Sequence, residues 1–166
     1  KESGMGGVCV SVDGGMTWKP TTEGMGSNSP ATSIVLDPKS PAGNRTLYTS
    51  VYNKGVFKST NDGKTWTLKN SGIEANTCAF ELTLTDDGNL FLTVSATPMH
   101  KDGRKGREYY SGAVYKSTDG AESWAKLNVT KGPLFPNGIA IDPENPARIY
   151  LACWADLQLS DLVGGD

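Results

Sequence analysis

The chain has a single histidine, His100, and three cysteines, Cys9, Cys78 and Cys153, with no CxxC pair. That leaves a zinc site as a poor reading, and neither a metal nor any other cofactor is expected. The odd cysteine set, spread among apolar or small residues, reads best as buried small hydrophobes in strands, with a disulfide between two of them the lesser reading. Charge of one sign is also scarce. A net charge of −2 over 166 residues offers no general attraction to phosphate backbones, so nucleic acid is not expected as a partner. No apolar run approaches the length that spans a membrane. The residues KESGMGG carry no apolar stretch of the kind found in secretion signals, so any targeting segment is expected outside this sequence.

What the chain does have is glycine, 20 residues, and proline, 9, as expected of an all-β protein with many turns. Three octapeptides repeat one pattern: SVDGGMTW from Ser11, STNDGKTW from Ser59 and STDGAESW from Ser117. Each has Ser, then Asp or Asn two residues on, a Gly-bearing turn, a hydroxyl residue and Trp. An acidic or amide side chain just before a turn accepts hydrogen bonds from its backbone N–H groups, and Gly supplies positive φ. The octapeptide therefore reads as a self-capped hairpin tip, with Trp18, Trp66 and Trp124 opening the returning strand and bringing a large apolar surface to bury.

Two flanking elements complete the repeat. The runs Gly7 to Val10, Gly55 to Lys58 and Ala113 to Lys116 lead straight into the octapeptides. Further upstream, SIVLDPKSPAGNRTLYTS from Ser33 and GIAIDPENPARIYLAC from Gly138 each place a strand, an Asp-Pro turn and a second strand; ELTLTDDGNLFLTV from Glu81 does the same with a different bend. With strands labelled A to D, this is a four-stranded meander at a period of about 50 residues, the signature of β-propeller blades. The expected division is strands C and D of one blade over residues 1–20, a full blade over 31–70, a full blade over 76–128 with an insertion at 96–111, and strands A and B of the next blade over 136–155. Such a set covers about three blades, too few to close a ring. The expectation is a segment of a longer polypeptide, or else a head-to-tail assembly in which a second copy completes the divided blade.

The octapeptides resemble the Asp-box, or bacterial neuraminidase repeat, of sialidases, xyloglucan-cutting propeller glycoside hydrolases, sortilin-type receptor domains and a photosystem assembly factor. The order IAIDPENPARIY, then GVFKSTNDGKTW, is closest to the xyloglucanase and sortilin type. This resemblance implies a secreted or periplasmic carbohydrate-active propeller, of glycoside hydrolase type, or alternatively a non-catalytic propeller that binds a protein or glycan. It also implies that Ser11, Asp13, Gly15 and Trp18, with Ser59, Asn61, Gly63 and Trp66 and with Ser117, Asp119 and Trp124, are structural. Repetition supports that role, because a catalytic residue is needed once and a fold element in every blade. Two departures stand out: Asn61 replaces the aspartate, with Asp62 beside it a substitute, and Ala121 replaces the glycine. Alanine is strained at positive φ, so the third turn is expected to shift its left-handed residue to Gly120.

The resemblance places binding on the B-to-C and D-to-A connections. In xyloglucanase-like enzymes the catalytic aspartates follow strand B, where an acid and a base separated by a water suit inversion. Here the matching positions hold Tyr52, Ser95 and Trp154. The catalytic pair is then expected outside this segment, or the protein does not hydrolyse glycans by that route. Asp156 and Asp161 are the nearby carboxylates that could act as acids. Tyr52 and Trp154 are candidates for stacking on sugar rings, against the plainer reading of packing between blades. The insertion SATPMHKDGRKGREYYSG offers His100, Arg104, Tyr109 and Tyr110 among further basic residues, suited to an acidic sugar or a protein partner, or else a solvated hairpin. The three convergent arginines of sialidases are absent: only Arg45, Arg104, Arg107 and Arg148 are available, two of them in one loop.

Overall fold

Alternating apolar and hydroxyl-bearing strands, separated by Gly and Pro turns, build sheets with two buried faces. In a computed structural model, residues 6–75, 77–98, 109–129 and 135–153 are described. They contain fourteen strands and no helix, hence no helix long and apolar enough to cross a membrane. Strands β3 (Ala31–Leu36), β4 (Leu47–Val51), β5 (Gly55–Ser59) and β6 (Thr67–Leu68) form one antiparallel meander in spatial order. Strands β7 (Ala79–Leu84), β8 (Leu90–Val94), β11 (Ala113–Ser117) and β12 (Ala125–Lys126) form a second of the same design. Before them lies the pair β1 (Cys9–Val10) and β2 (Lys19–Pro20), and after them the pair β13 (Pro136–Ile141) and β14 (Ile149–Cys153). The insertion adds a small hairpin of β9 (Thr97–Pro98) and β10 (Tyr109–Tyr110).

The meanders are stacked as blades. The first strands β3, β7 and β13 lie against one another, so the sheets converge on that side. Registers repeat from blade to blade: Leu36 faces Leu47 and Leu47 faces Ser59, just as Leu84 faces Leu90 and Leu90 faces Ser117. Each first strand carries a register shift near its start, at Ala31/Ser33, Ala79/Leu82 and Pro136/Gly138, and such bulges re-aim side chains at that end.

The cores lie between blades. Val8, Met25, Val51, Phe57 and Trp66 fill the first seam, and Tyr48, Val56, Leu82, Leu90, Leu92, Tyr115 and Trp124 are among those filling the second. Trp66 and Trp124 are 3% and 5% exposed, whereas Trp18 is 63% exposed. The reason is local. Trp66 donates its backbone N–H to Glu23 O at 2.8 Å and its indole Nε1 to Thr21 O at 2.8 Å, both in the exit of the preceding blade. Trp124 repeats this on Ser71 O at 2.8 Å and Lys69 O at 2.9 Å. Gly24 and Gly72 lie under these carbonyls, where an added Cβ would come within 2.1 Å of Trp66 O and of Trp124 O.

One expectation about the cysteines fails for two of them. Cys78 is buried, but Cys9 and Cys153 are exposed, because each lies on a two-stranded sheet that covers one edge only. All three are free, so the disulfide reading falls as well.

Candidate functional site

A four-stranded meander has two ends, and they differ in chemistry. At one end the three octapeptides sit beside the A-to-B turns. In the first, Ser11 Oγ donates to Asp13 Oδ1 at 2.7 Å and accepts from Gly15 N at 2.8 Å, while Asp13 accepts from Thr17 N at 2.9 Å and from Thr17 Oγ1 at 2.5 Å. Ser117 and Asp119 make the same set with Ala121 N and with both donors of Ser123. In the middle copy Asn61 Oδ1 accepts from Thr65 N at 3.0 Å, and its Nδ2 donates to Thr65 Oγ1 at 2.8 Å. Asn61 thus does the aspartate's work itself. Asp62 does not substitute for it: its Oδ1 accepts from Arg45 N at 2.9 Å and ties the octapeptide to the A-to-B turn.

The expected shift of the left-handed residue is also wrong. Gly120 and Ala121 both have φ of 68°, matching Gly14 and Gly15 at 71° and 92° and Asp62 and Gly63 at 60° and 76°. The turn needs two consecutive left-handed residues. Alanine is accepted because its methyl is buried in the seam (0% exposed), in the place where a Cβ on Gly63 would lie 3.4 Å from Trp66 Cζ2. A left-handed non-glycine costs about 1–2 kcal/mol, and burying one methyl returns about 0.8 kcal/mol.

The carboxylates at this end are turn caps. Hydrogen bonds from Thr17, then Ser11, hold the Asp13 carboxyl at a pKa of about 2, and bonds from Ser123, then Ser117, hold Asp119 at about 2. A cleft of about 300 Å³ opens between the A-to-B turns of the second meander and the β13–β14 pair, lined by Asp86, Asp87 and Asp142 among others. Asp87 is bonded to Thr85 and Asn89, and Asp142 to the N–H groups of Glu144 and Asn145 and to Arg148.

At the opposite end lie the B-to-C turns, the insertion and the D-to-A connections. Tyr52 follows β4 and Ser95 follows β8. Each donates its N–H to the connection preceding the first strand, Tyr52 to Pro30 O at 3.0 Å and Ser95 to Cys78 O at 2.9 Å. Tyr52 is partly exposed and meets Phe80 edge to face, with ring centroids 5.8 Å apart and planes at 88°. A hydrogen bond to Cys78 raises the Tyr52 pKa, and burial raises that of the Cys78 thiol. The ring therefore packs across the seam and keeps one part open to solvent. Tyr109 and Tyr110 belong to β10, paired with Pro98 and Thr97. Trp154, Asp156, Asp161, His100 and Arg104 lie outside the described residues.

Glu81 was missed from the sequence. It sits in the register shift of β7 beside Phe80, partly exposed, its carboxyl pKa raised by burial against a hydrogen bond from Ser33 that lowers it. The available signal was a lone carboxylate within the apolar run AFELTL. Together Tyr52, Phe80 and Glu81 bring two aromatic rings and a carboxyl to the inner edge of one seam.

No family model matches this chain, and no curated protein matches it. Among solved structures it is similar to a GH74 enzyme of Niastella koreensis, with a TM-score of 0.63 and 26% identity over 87% of this chain. The match covers 21% of that enzyme, so this chain spans about a fifth of its length. The fold is thus all-β, of the β-propeller kind, with four-stranded antiparallel blades.

Proposed function

We propose that this chain is part of a secreted or periplasmic Asp-box propeller of glycoside hydrolase type, acting on a polysaccharide in the manner of xyloglucanases. The observation that carries this reading is the likeness to the GH74 enzyme over 87% of the chain, in a sequence whose repeats resemble the same class. On this reading residues 1–20, 31–70, 76–128 and 136–155 are parts of successive blades, and the remaining blades of the ring belong to the same polypeptide or to a second copy. The groove runs over the end that carries Tyr52, Trp154 and the insertion. Flat rings there stack on the apolar faces of sugars, and their polar edges bond hydroxyls. His100, Arg104, Tyr109 and Tyr110 extend the contact along the insertion. Asp156 and Asp161 are the acids to test, and the octapeptides are scaffold.

One observation favours a second reading, a propeller that binds glycan without cutting it. The described residues that directly follow the second strand of a full blade are Tyr52 and Ser95, and neither is a carboxylate. Reducing-end release from xyloglucan and other β-glucans, run beside a binding measurement on the same polymers, separates the two. Hydrolysis supports the enzyme reading, binding without release supports the second, and neither binding nor release on β-glucans or acidic glycans contradicts both.

A further inference from the structure

The structure contains two half-blades whose open edges match. The pair β1–β2 corresponds to strands C and D, with β1 occupying the place that β5 and β11 hold in the full blades. The pair β13–β14 corresponds to strands A and B, with β14 in the place of β4 and β8. In the full blades the strand-B residue opposite the end of strand A is also opposite the first Ser of the octapeptide: Leu47 joins Leu36 to Ser59, and Leu90 joins Leu84 to Ser117. Ile149, opposite Ile141, is the equivalent residue on β14, and Ser11 is the equivalent Ser. The repeat therefore fixes a register between the two open edges, in which Ser11 faces Ile149, Val10 faces Tyr150, Cys9 faces Leu151, Val8 faces Ala152 and Gly7 faces Cys153.

That register pairs surfaces that are now exposed. Val10 and Tyr150 are 41% and 56% exposed, and they become direct cross-strand neighbours. In the full blades the aromatic at this position is covered by the residue opposite: Lys58 lies over Tyr48, and Lys116 over Phe91, with Nζ 5.7 Å and 5.4 Å from the ring centres. Gly7, at positive φ, takes the place of Gly55, also at positive φ, which faces Val51. Trp18 fits the same frame. Trp66 and Trp124 each bond to carbonyls three and five residues after the tryptophan of the preceding blade, at Thr21 and Glu23 and at Lys69 and Ser71. The residues three and five after Trp124 are Leu127 and Val129. Exposed Trp18 instead turns its indole N–H back to Gly15 O at 3.1 Å, with Met16 beside it 85% exposed.

We propose that two copies of this chain associate head to tail. The β14 edge of one copy pairs with the β1 edge of the other in the register above, and Trp18 seats on Leu127 and Val129. Each junction completes one four-stranded blade, and two junctions related by a two-fold axis close a ring of six, within the size range of propellers. The junction buries the apolar side chains of Val10, Trp18 and Tyr150 and pairs both open edges, which otherwise invite unspecific strand pairing. This inference does not depend on the carbohydrate reading.

Sedimentation equilibrium tests it, with a species of twice the 17.6 kDa chain mass expected. A single-chain mass at every concentration overturns the proposal. A second measurement tests the register. Leu151→Cys places a thiol opposite Cys9, and mild oxidation should give an interchain disulfide that disappears in Leu151→Cys/Cys9→Ser. A dimer in which Leu151→Cys does not link to Cys9 overturns the pairing. Val10→Glu with Tyr150→Glu alters positions exposed in the single copy, so it should leave the circular dichroism spectrum unchanged. It should raise the dissociation constant by about 100-fold, since it buries unpaired carboxylates at the junction. A folded double variant with unchanged association also overturns the proposal.

Discussion

Asp13, Asn61 and Asp119 hold the same turn with the same acceptor geometry, yet only the two aspartates can titrate. Their carboxyls sit at about 2 in the fold, lowered by hydroxyl and N–H donors, against about 3.9 for an unstructured aspartate. A carboxyl depressed in the fold adds stability that is complete above the unfolded value and is lost as pH falls toward the folded one. Melting temperature should therefore drop between about pH 4 and pH 2 partly through these two turns. Asp13→Asn with Asp119→Asn should flatten that drop, because asparagine keeps the acceptor and carries no proton to gain. An equal drop in wild type and double variant would contradict the assignment. The same scale explains what the sequence hid at Ala121. A lone alanine in a glycine position suggests strain to be avoided, and only the buried pocket beside Trp124 shows why it is tolerated. Ala121→Gly relieves the left-handed strain but loses the methyl, so urea unfolding should place it within about 1 kcal/mol of wild type. A loss above about 2 kcal/mol would mean that the methyl contributes more than its area implies.

Between elements, the tryptophan of each octapeptide seals the seam to the blade before it. The sequence revealed that Trp66 and Trp124 bring apolar surface for burial, because repetition at one position is legible. It did not reveal what covers them. The covering turns, Glu23-Gly24-Met25 and Ser71-Gly72-Ile73, share one glycine, which does not stand out among the 20 in the chain. Gly72 has φ of 88°, and an added Cβ would lie 2.1 Å from the Trp124 carbonyl oxygen. Gly43 has a similar φ of 83° with nothing near it. Gly43→Ala should therefore cost only the left-handed penalty of about 1–2 kcal/mol. Gly72→Ala carries that penalty and a backbone clash, so it should exceed Gly43→Ala by at least about 1 kcal/mol in denaturant unfolding. Equal losses would show that the seam yields without cost.

Across the whole molecule, the four-stranded meander was legible because its cues are local: Asp-Pro and Asp-Gly turns, alternating strands and a repeated hairpin tip. The exposure of Cys9 and Cys153 was not, since it depends on which sheet edges are covered, a property of neighbours rather than of strands. The candidate site divides similarly. Tyr52 was legible from its place after a strand, whereas its edge contact with Phe80 and the semi-buried Glu81 beside it arise from the β7 register shift and the adjoining blade. The polarity of the molecule is the central claim: the octapeptide end is scaffold, and the Tyr52 and Trp154 end binds carbohydrate. Calorimetric titration of xyloglucan oligosaccharides into the wild type, Trp154→Ala and Asp13→Asn tests it most directly. The account predicts saturable binding that is lost in Trp154→Ala and kept in Asp13→Asn. Binding that survives Trp154→Ala and is lost in a folded Asp13→Asn would contradict it.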